Sequence, residues 1–417
     1  MDSTPAHSAK GEAADLGAHT FPAWLRSDGR KGIRNIVAVA YMVECAHHVA
    51  RQIVTRSGRD DTHLIGFPGC YPNEYAFDMM AALCTHPNVG GVVLVSLGCE
   101  AFNREALARR IQATGRPVET FVIQKEGGTL STIAKGVEAV GRIRAAADQT
   151  PRGDMRVDEL IIGTICGGSD GTSGITANPA VGRAFDALGA AGAACIFEET
   201  GELVGCETIM ASRAITPELG VELEACVQKA EAYYTVMGYG SFAPGNAEGG
   251  LTTQEEKSMG AYSKSGSAPI RGILKPGDLP PTGGLYLLDV VPDGEPRFGF
   301  PNISDNAEIV ELIACGAHIT LFTTGRGSVV GSALSPVIKV CANPETYRNL
   351  SGDMDIDAGR IMEGRGTLDE VGAEITDCVL RVAAGEPSVS EALGHQEFIL
   401  TYKSFEPVGP ACLPLRA

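Results

Sequence analysis

Cys166, Ser169 and Asp170 stand close together in a stretch crowded with glycines, Gly163-Thr-Ile-Cys-Gly-Gly-Ser-Asp-Gly-Thr-Ser-Gly-Ile-Thr-Ala-Asn-Pro179. A thiol, a hydroxyl and a carboxylate among glycines can ligate a cation, hold a carboxylate or move a proton. Two more cysteines, Cys70 and Cys99, sit in short loops, and Glu100 follows the second. Thiolates suit softer divalent metals such as iron(II) or zinc. Cys70, Cys99, Glu100 and Cys166 are therefore expected to form a metal-ligating or polar edge. In the plainer reading, free cysteines are small buried hydrophobes, and Asp170 or Glu100 caps the helix that follows. Cys84, Cys195 and Cys226 lie in helix or strand patterns and read as core, while Cys45 stays open.

Lys257, in Glu255-Glu-Lys-Ser258, is the candidate base, because desolvation shifts a lysine towards neutrality. With Glu256 and Asp170 it makes the expected catalytic set; pairing with Glu255 or Glu256 is its structural alternative. Arg326 and Arg34 suit two-pronged carboxylate binding. Glycines on both sides of Arg326 clear space for its guanidinium, whereas Arg34-Asn35 could simply fix a turn. His47-His48 invites a metal reading, but adjacent helical residues point about 100° apart, so the pair reads as structural.

These residues need elements to hold them. The apolar run Leu160-Ile-Ile162 enters the glycine stretch and a helical pattern from Asn178 to Ala190 leaves it. Such a strand–loop–helix puts its loop at the carboxyl edge of a sheet, where open α/β folds bind ligands. Short apolar strands alternate with helices through much of the chain, which predicts an α/β protein of two doubly wound, mainly parallel-sheet units. Cys70, Cys99 and Cys166 each follow a strand, so their sulfurs meet if the strands share an edge. Residues 1–22 read as a disordered tail, 23–150 as the first unit, 151–154 as the linker, and 151–417 as the second unit. Residues 238–304, rich in Gly, Pro, Ser and Thr, read as long functional loops between strands of that second unit.

The 417 residues carry a net charge of −17, which argues against nucleic acid or an anionic membrane surface as partner. No apolar run approaches the roughly 18 residues of a membrane span. Twelve scattered cysteines without a Cys-x-x-Cys pair, and no signal peptide, suggest reduced thiols in the cytoplasm.

In this order, the motifs resemble those of the altronate/galactarate dehydratase family and its relative, the sulfolactate sulfo-lyase large subunit. They are Asp28-Gly-Arg-Lys-Gly-Ile-Arg-Asn35, Gly69-Cys70, His86-Pro-Asn88, Leu97-Gly-Cys-Glu100, Cys166 to Pro179, Pro244-Gly-Asn246, Thr252-Thr253, Glu256-Lys-Ser258, Thr324-Gly-Arg-Gly327 and Asp357-Ala-Gly359. The resemblance implies a hydro-lyase that eliminates water from a 2-hydroxy carboxylate to leave a 2-keto acid. It implies a divalent metal, iron(II) with manganese or zinc as alternatives, and a small partner subunit of the SAF type. A homo-oligomer is also expected. Arg34, Ser169, Asn246, Thr253 and Arg326 are then candidate substrate-binding residues.

Three departures from the family pattern bear on the substrate. Gly66 stands where the sugar-acid dehydratases have a histidine, Ala101-Phe102-Asn103 where they have amides, and Ala261-Tyr262-Ser263 where they have cysteine and glutamine. Phe102 and Tyr262 are accordingly expected to line a site for a shorter or less hydroxylated acid. Release of sulfite from a 3-sulfo-2-hydroxy acid is the alternative within the class. A non-catalytic anion- or nucleotide-binding α/β protein is the alternative outside it, although the chain has neither Gly-x-Gly-x-x-Gly after its first strand nor a P-loop lysine.

Overall fold

In a computed structural model, residues 16–198, 200–238, 243–296, 304–400 and 402–403 are described. The strands are β1 (Thr20–Leu25), β2 (Lys31–Gly32), β3 (Ile36–Tyr41), β4 (Thr62–Gly66), β5 (Val89–Ser96), β6 (Val118–Val122), β7 (Arg152–Arg156), β8 (Ile161–Cys166), β9 (Ala194–Phe197), β10 (Ile270–Leu274), β11 (Gly284–Leu288), β12 (Ile319–Thr324), β13 (Val337–Cys341) and β14 (Ile356–Asp357). They form a four-stranded sheet, β4-β3-β5-β6, a seven-stranded sheet, β10-β11-β9-β8-β12-β13-β14, and a three-stranded sheet, β2-β1-β7. All pairs in the first two are parallel. The expected α/β architecture is what the chain adopts.

Parallel strands covered on both faces read as near-continuous apolar runs, and β3 (IVAVAY) and β5 (VGGVVLVS) do so. Alternate residues serve opposite layers. Val37, Val39, Val93 and Val95 pack under the helices Glu44–Ser57 and Thr129–Ala147. Ala38, Ala40, Val92 and Leu94 face the other way, into a core shared with Ile165, Phe322 and the helix Asp305–Ala314 of the large sheet. Beyond that sheet a third layer joins Ile162, Leu321 and Val340 to the helices Ala177–Ala190 and Leu368–Ala383.

Three expectations need correction. The expected linker, 151–154, is not one: residues 152–154 begin β7, which pairs antiparallel with β1. Residues 1–15 of the expected tail lie outside the described part, but Thr20–Pro22 belong to β1 and Phe21 is buried. The described part of the 238–304 segment is not loop alone, since it also holds the helix Gln254–Tyr262 and the strands β10 and β11. Those strands are five residues each and bounded by Gly, Pro and Ser, so turn chemistry around them hides their apolar cores, Ile270 to Leu274 and Leu285 to Leu288.

Candidate functional site

The large sheet reverses its strand order at β8: β9 follows it in sequence on one side, and β12 flanks it on the other. The carboxyl ends of two such neighbours diverge into separate loops and leave a crevice. Here the crevice is stitched at its base. Gly167 N donates to Thr323 O at 3.0 Å, while Gly325 N and Arg326 N donate to Gly168 O at 3.2 and 2.9 Å. Gly168 has φ +63°, a left-handed turn that glycine adopts without strain.

Above the stitch lies a cavity of about 740 Å³, lined by Cys166 to Ser169, Glu198, Glu202, Tyr234, Asn246, Lys257, Asp305, Glu308 and Arg326 among others. Lys257, buried on the helix Gln254–Tyr262, forms an ion pair with Glu202. Cys166 Sγ donates to the other Glu202 oxygen at 3.4 Å, and Ser169 Oγ donates to Cys166 Sγ at 3.3 Å. Hydroxyl, thiol, carboxylate and ammonium thus form one chain of contacts along the wall. Opposite, Asp305 opens the helix Asp305–Ala314, capped by Ser304, whose Oγ accepts from Ala307 N at 3.4 Å. Asp305 as a whole residue is exposed, but its carboxyl is pressed against the glycine loop: a Cβ at Gly167 would lie 2.2 Å from Asp305 Oδ2. Enclosure of that carboxyl and then the Glu202 charge push Asp305 up to about 6. Burial pushes the Tyr234 phenol up, and the charges of Glu308, Glu202 and Glu198 add to it, so Tyr234 is a neutral donor.

The expected residues divide. Cys166, Ser169, Asn246, Lys257 and Arg326 share the cavity. Asn246 is also a staple, with Oδ1 accepting from Ala243 N at 2.8 Å and Nδ2 donating to Ser169 O at 3.1 Å. Arg326 stands half-exposed at the mouth, bonded to Gly245 O and 3.1 Å from Glu248 Oε2. Asp170 does not line this cavity. It organises the glycine turn, accepting from Thr172 N, Thr172 Oγ1 and Ser173 Oγ at 2.9, 2.6 and 3.2 Å and from Asn343 Nδ2 at 2.9 Å; it does not cap the following helix, whose N-cap position is Thr176. Glu256 is exposed on the adjoining rim and bonds Thr252 N and Oγ1 at 2.8 and 2.6 Å. Thr253 caps the Lys257 helix, accepting from Glu256 N at 3.2 Å.

The other expected residues lie elsewhere. Arg34 grips Glu391 through Nε and Nη2, both at 2.8 Å, and so is a structural clamp. Phe102 is core, its ring centroid 6.0 Å from Phe67 and 5.7 Å from Phe77. Tyr262 is buried under Arg213, whose guanidinium lies 5.1 Å from its ring centroid. The absence of a side chain at position 66 has a steric cause, since a Cβ at Gly66 would lie 2.2 Å from the Tyr41 ring.

The expected metal set does not fit. Cys70 and Cys99 follow strands of the four-stranded sheet and are exposed, whereas Cys166 is the last residue of β8 and is buried. Their two loops do touch, with Ala101 N donating to Cys70 O at 2.8 Å. Glu100 is turned into its own loop, accepting from Ser96 Oγ and, at 2.8 Å, from Gly98 N. Among the described residues no three His, Cys, Asp or Glu side chains converge as ion ligands.

Sequence reasoning missed Glu198, Glu202, Tyr234, Asp305 and Glu308. The first two follow β9, the neighbour of β8, so their position at a strand end was an available signal. Asp305 and Glu308 come from a helix far along the chain, and only the strand order brings it here.

Two family models match the chain: D-galactarate/altronate dehydratase, C-terminal, over residues 157–405, and D-galactarate dehydratase/altronate hydrolase, second domain, over 23–148. The (2R)-sulfolactate sulfo-lyase subunit beta of Chromohalobacter salexigens is 32% identical over 401 residues, covering 93% of this chain and 98% of that protein. The altronate dehydratase of Bacillus subtilis is 31% identical over 383 residues, covering 88% of this chain and 74% of that one. The galactarate dehydratase (L-threo-forming) of Escherichia coli is 31% identical over 402 residues, covering 89% and 74%.

Proposed function

The chain belongs to the D-galactarate/altronate dehydratase family, and we propose that it is the carbon–oxygen lyase that removes the β hydroxyl, as water, from a small sugar-acid-like 2-hydroxy carboxylate and leaves a 2-keto acid. The observation that carries this reading is one cavity with an ammonium–carboxylate pair, Lys257–Glu202, facing a carboxyl of near-neutral pKa, Asp305. A proton α to a carboxylate is weakly acidic, so its removal needs a positioned base and a cation beside the enolate-like charge. Lys257, paired with Glu202, is an ammonium in the resting site. We therefore assign it to holding the substrate's carboxylate and assign the base to Asp305, whose pKa near 6 leaves it ionised at neutral pH and still basic. Arg326 at the mouth suits a second anionic group of the substrate.

A divalent metal, iron(II) with manganese or zinc as alternatives, is part of the proposal, and no step is drawn through it. Among the described residues the cavity's wall carries four carboxyls, Glu198, Glu202, Asp305 and Glu308, against Lys257 and Arg326 on the wall and the buried Lys264 acting on Asp305 through space, so an anionic substrate would be better held with a further positive charge nearby. When bound, such an ion would polarise the substrate's oxygens.

Sulfite release from a 3-sulfo-2-hydroxy acid is the second reading, favoured by the match that runs along 98% of the sulfo-lyase subunit. That relative's name, a subunit beta, also supports a further subunit for this enzyme, and we take it to be a small one of the SAF type. Among the described residues no helix is long and apolar enough to cross a membrane, and we place the protein in the cytoplasm. The test is an anaerobic assay of the metal-loaded protein, alone and with its co-purifying partner, against a panel of 2-hydroxy and 3-sulfo-2-hydroxy acids. Keto acid without sulfite supports the first reading and equimolar sulfite the second. Neither product from any acid, with each metal tried, defeats both.

A further inference from the structure

The helix Asp305–Ala314 carries three carboxyls, Asp305, Glu308 and Glu311, spaced by three and so along one side of two turns. Asp305 and Glu308 line the cavity, and Glu311 lies fully buried behind them. A cation does reach this row, from the far end of the described chain: Lys403 Nζ donates to Glu311 Oε2 at 2.7 Å, with side-chain exposures of 2% and 0%. Tyr75, from the four-stranded unit, donates its hydroxyl to Glu311 Oε1 at 2.7 Å. Both oxygens of Glu311 are thus satisfied, one of them by an ammonium. Glu308, one turn nearer the cavity, is buried among Asp305, Glu311, Glu202, Tyr75 and Tyr234 and meets Lys403 only through space.

Two neighbouring buried carboxyls with one cation cannot both ionise cheaply, and the charge settles where the cation is bonded. We propose that Glu308 is the proton donor to the leaving group, kept in its acid form because the Tyr75–Glu311–Lys403 triad holds the nearby ammonium on Glu311. Burial pushes Glu308 up to about 8; Lys403 opposes this, and the Glu311, Asp305 and Glu202 charges add to it. Burial raises Glu311 too, but there the bonds from Lys403 and Tyr75 oppose it. Glu308 touches the cavity and is catalytic in this scheme, while Tyr75, Glu311 and Lys403 are positioning residues. The inference rests on the lyase reading for its chemistry. As the C–H bond α to the carboxylate breaks, its proton passes to Asp305 and its electron pair forms a double bond between the α and β carbons. The C–O bond at the β carbon breaks, the departing hydroxyl takes the Glu308 proton and leaves as water, and the 2-hydroxy enol left behind moves its hydroxyl proton to the β carbon and becomes the 2-keto acid. Asp305 then holds a proton and Glu308 has lost one, three residues apart on the same helix side, so a return transfer between them restores the site.

The test begins without substrate. Above about pH 7, where Asp305 is already ionised, the infrared C=O band of a protonated carboxyl in the full-length protein should persist to about pH 8 and be missing in Glu308→Gln. In Glu311→Gln, Lys403 is left with Glu308 as its nearest carboxyl, and the band should disappear about one to three pH units lower. Glu311→Gln combined with Lys403→Met removes the pair and should return the band towards its wild-type midpoint. A merely structural triad would lower the melting temperature of both variants without moving the midpoint. The proposal is overturned if Glu308→Gln keeps the band, or if a folded Glu311→Gln leaves it in place. Should the triad variants not fold, Glu308→Gln, an isosteric change at the cavity wall, decides alone. Its kcat for water elimination should fall by about 10²-fold or more with KM little changed, and an unchanged kcat overturns the donor role. Because the infrared titration needs no turnover, its failure is distinguishable from failure of the lyase reading.

Discussion

Asp305 shows how one residue's chemistry is set by what is missing beside it. Gly167 has no side chain, so the Asp305 carboxyl packs onto the glycine loop, within reach of the Glu202 charge. Below about pH 6 Asp305 carries its proton and cannot accept another; above it the carboxylate is available. The lyase rate should therefore rise through about pH 6. Asp305→Asn should abolish that limb and lower kcat by about 10²- to 10⁴-fold, measured as a pH–rate profile. A limb near 6 that survives the substitution would move the base elsewhere. The same raised pKa has a stability side. The folded chain loses stability as pH rises from the ordinary aspartate range through about 6, and Asn at this position removes that loss.

At the scale of elements, the sequence made the glycine loop after β8 and its place at a sheet's carboxyl edge legible, because a strand–loop–helix fixes that locally. It did not reveal which loops would share the edge. Cys70 and Cys99 obey the same local rule as Cys166, yet their strands belong to the four-stranded sheet and so do not share the edge at which β8 ends. Phe102 and Tyr262 were drawn into the site by their family positions. Each belongs instead to a core cluster, a packing outcome that no spacing encodes. Thr253 is a milder case, since its pattern with Glu256 reads equally as a binding hydroxyl or a helix cap. It caps the helix that delivers Lys257. Thr253→Ala should then cost about 1 kcal/mol in urea unfolding and leave KM within about twofold, the latter because its hydroxyl is not on the cavity wall.

For the whole molecule, the two parallel sheets behave as one body because a common core lies between them and because side chains clasp across it. Arg34, just before β3, bonds Glu391 with two prongs and donates to Val382 O and Glu386 O at 3.0 and 2.9 Å, far along the chain. Arg34→Ala should destabilise the protein by about 2 kcal/mol. Since Arg34 is outside the cavity, KM should not change, and a large rise in KM with stability intact would return it to substrate binding.

The reversal of strand order at β8 also sets a schedule for the ribosome. Strands β3 to β6 lie within residues 36–122 and can pair while the rest is still being made. β8 must wait for β12, as in the bond from Thr164 Oγ1 to Leu321 O at 3.1 Å across 157 residues. Loop closure on that scale slows folding, so the half-built chain carries the Cys166 thiol and its apolar strand uncovered through much of synthesis. The sulfur on the cavity wall thus gains its full surroundings late, and oxidation or aggregation during that interval is the hazard that comes with placing a site at the junction of distant strands.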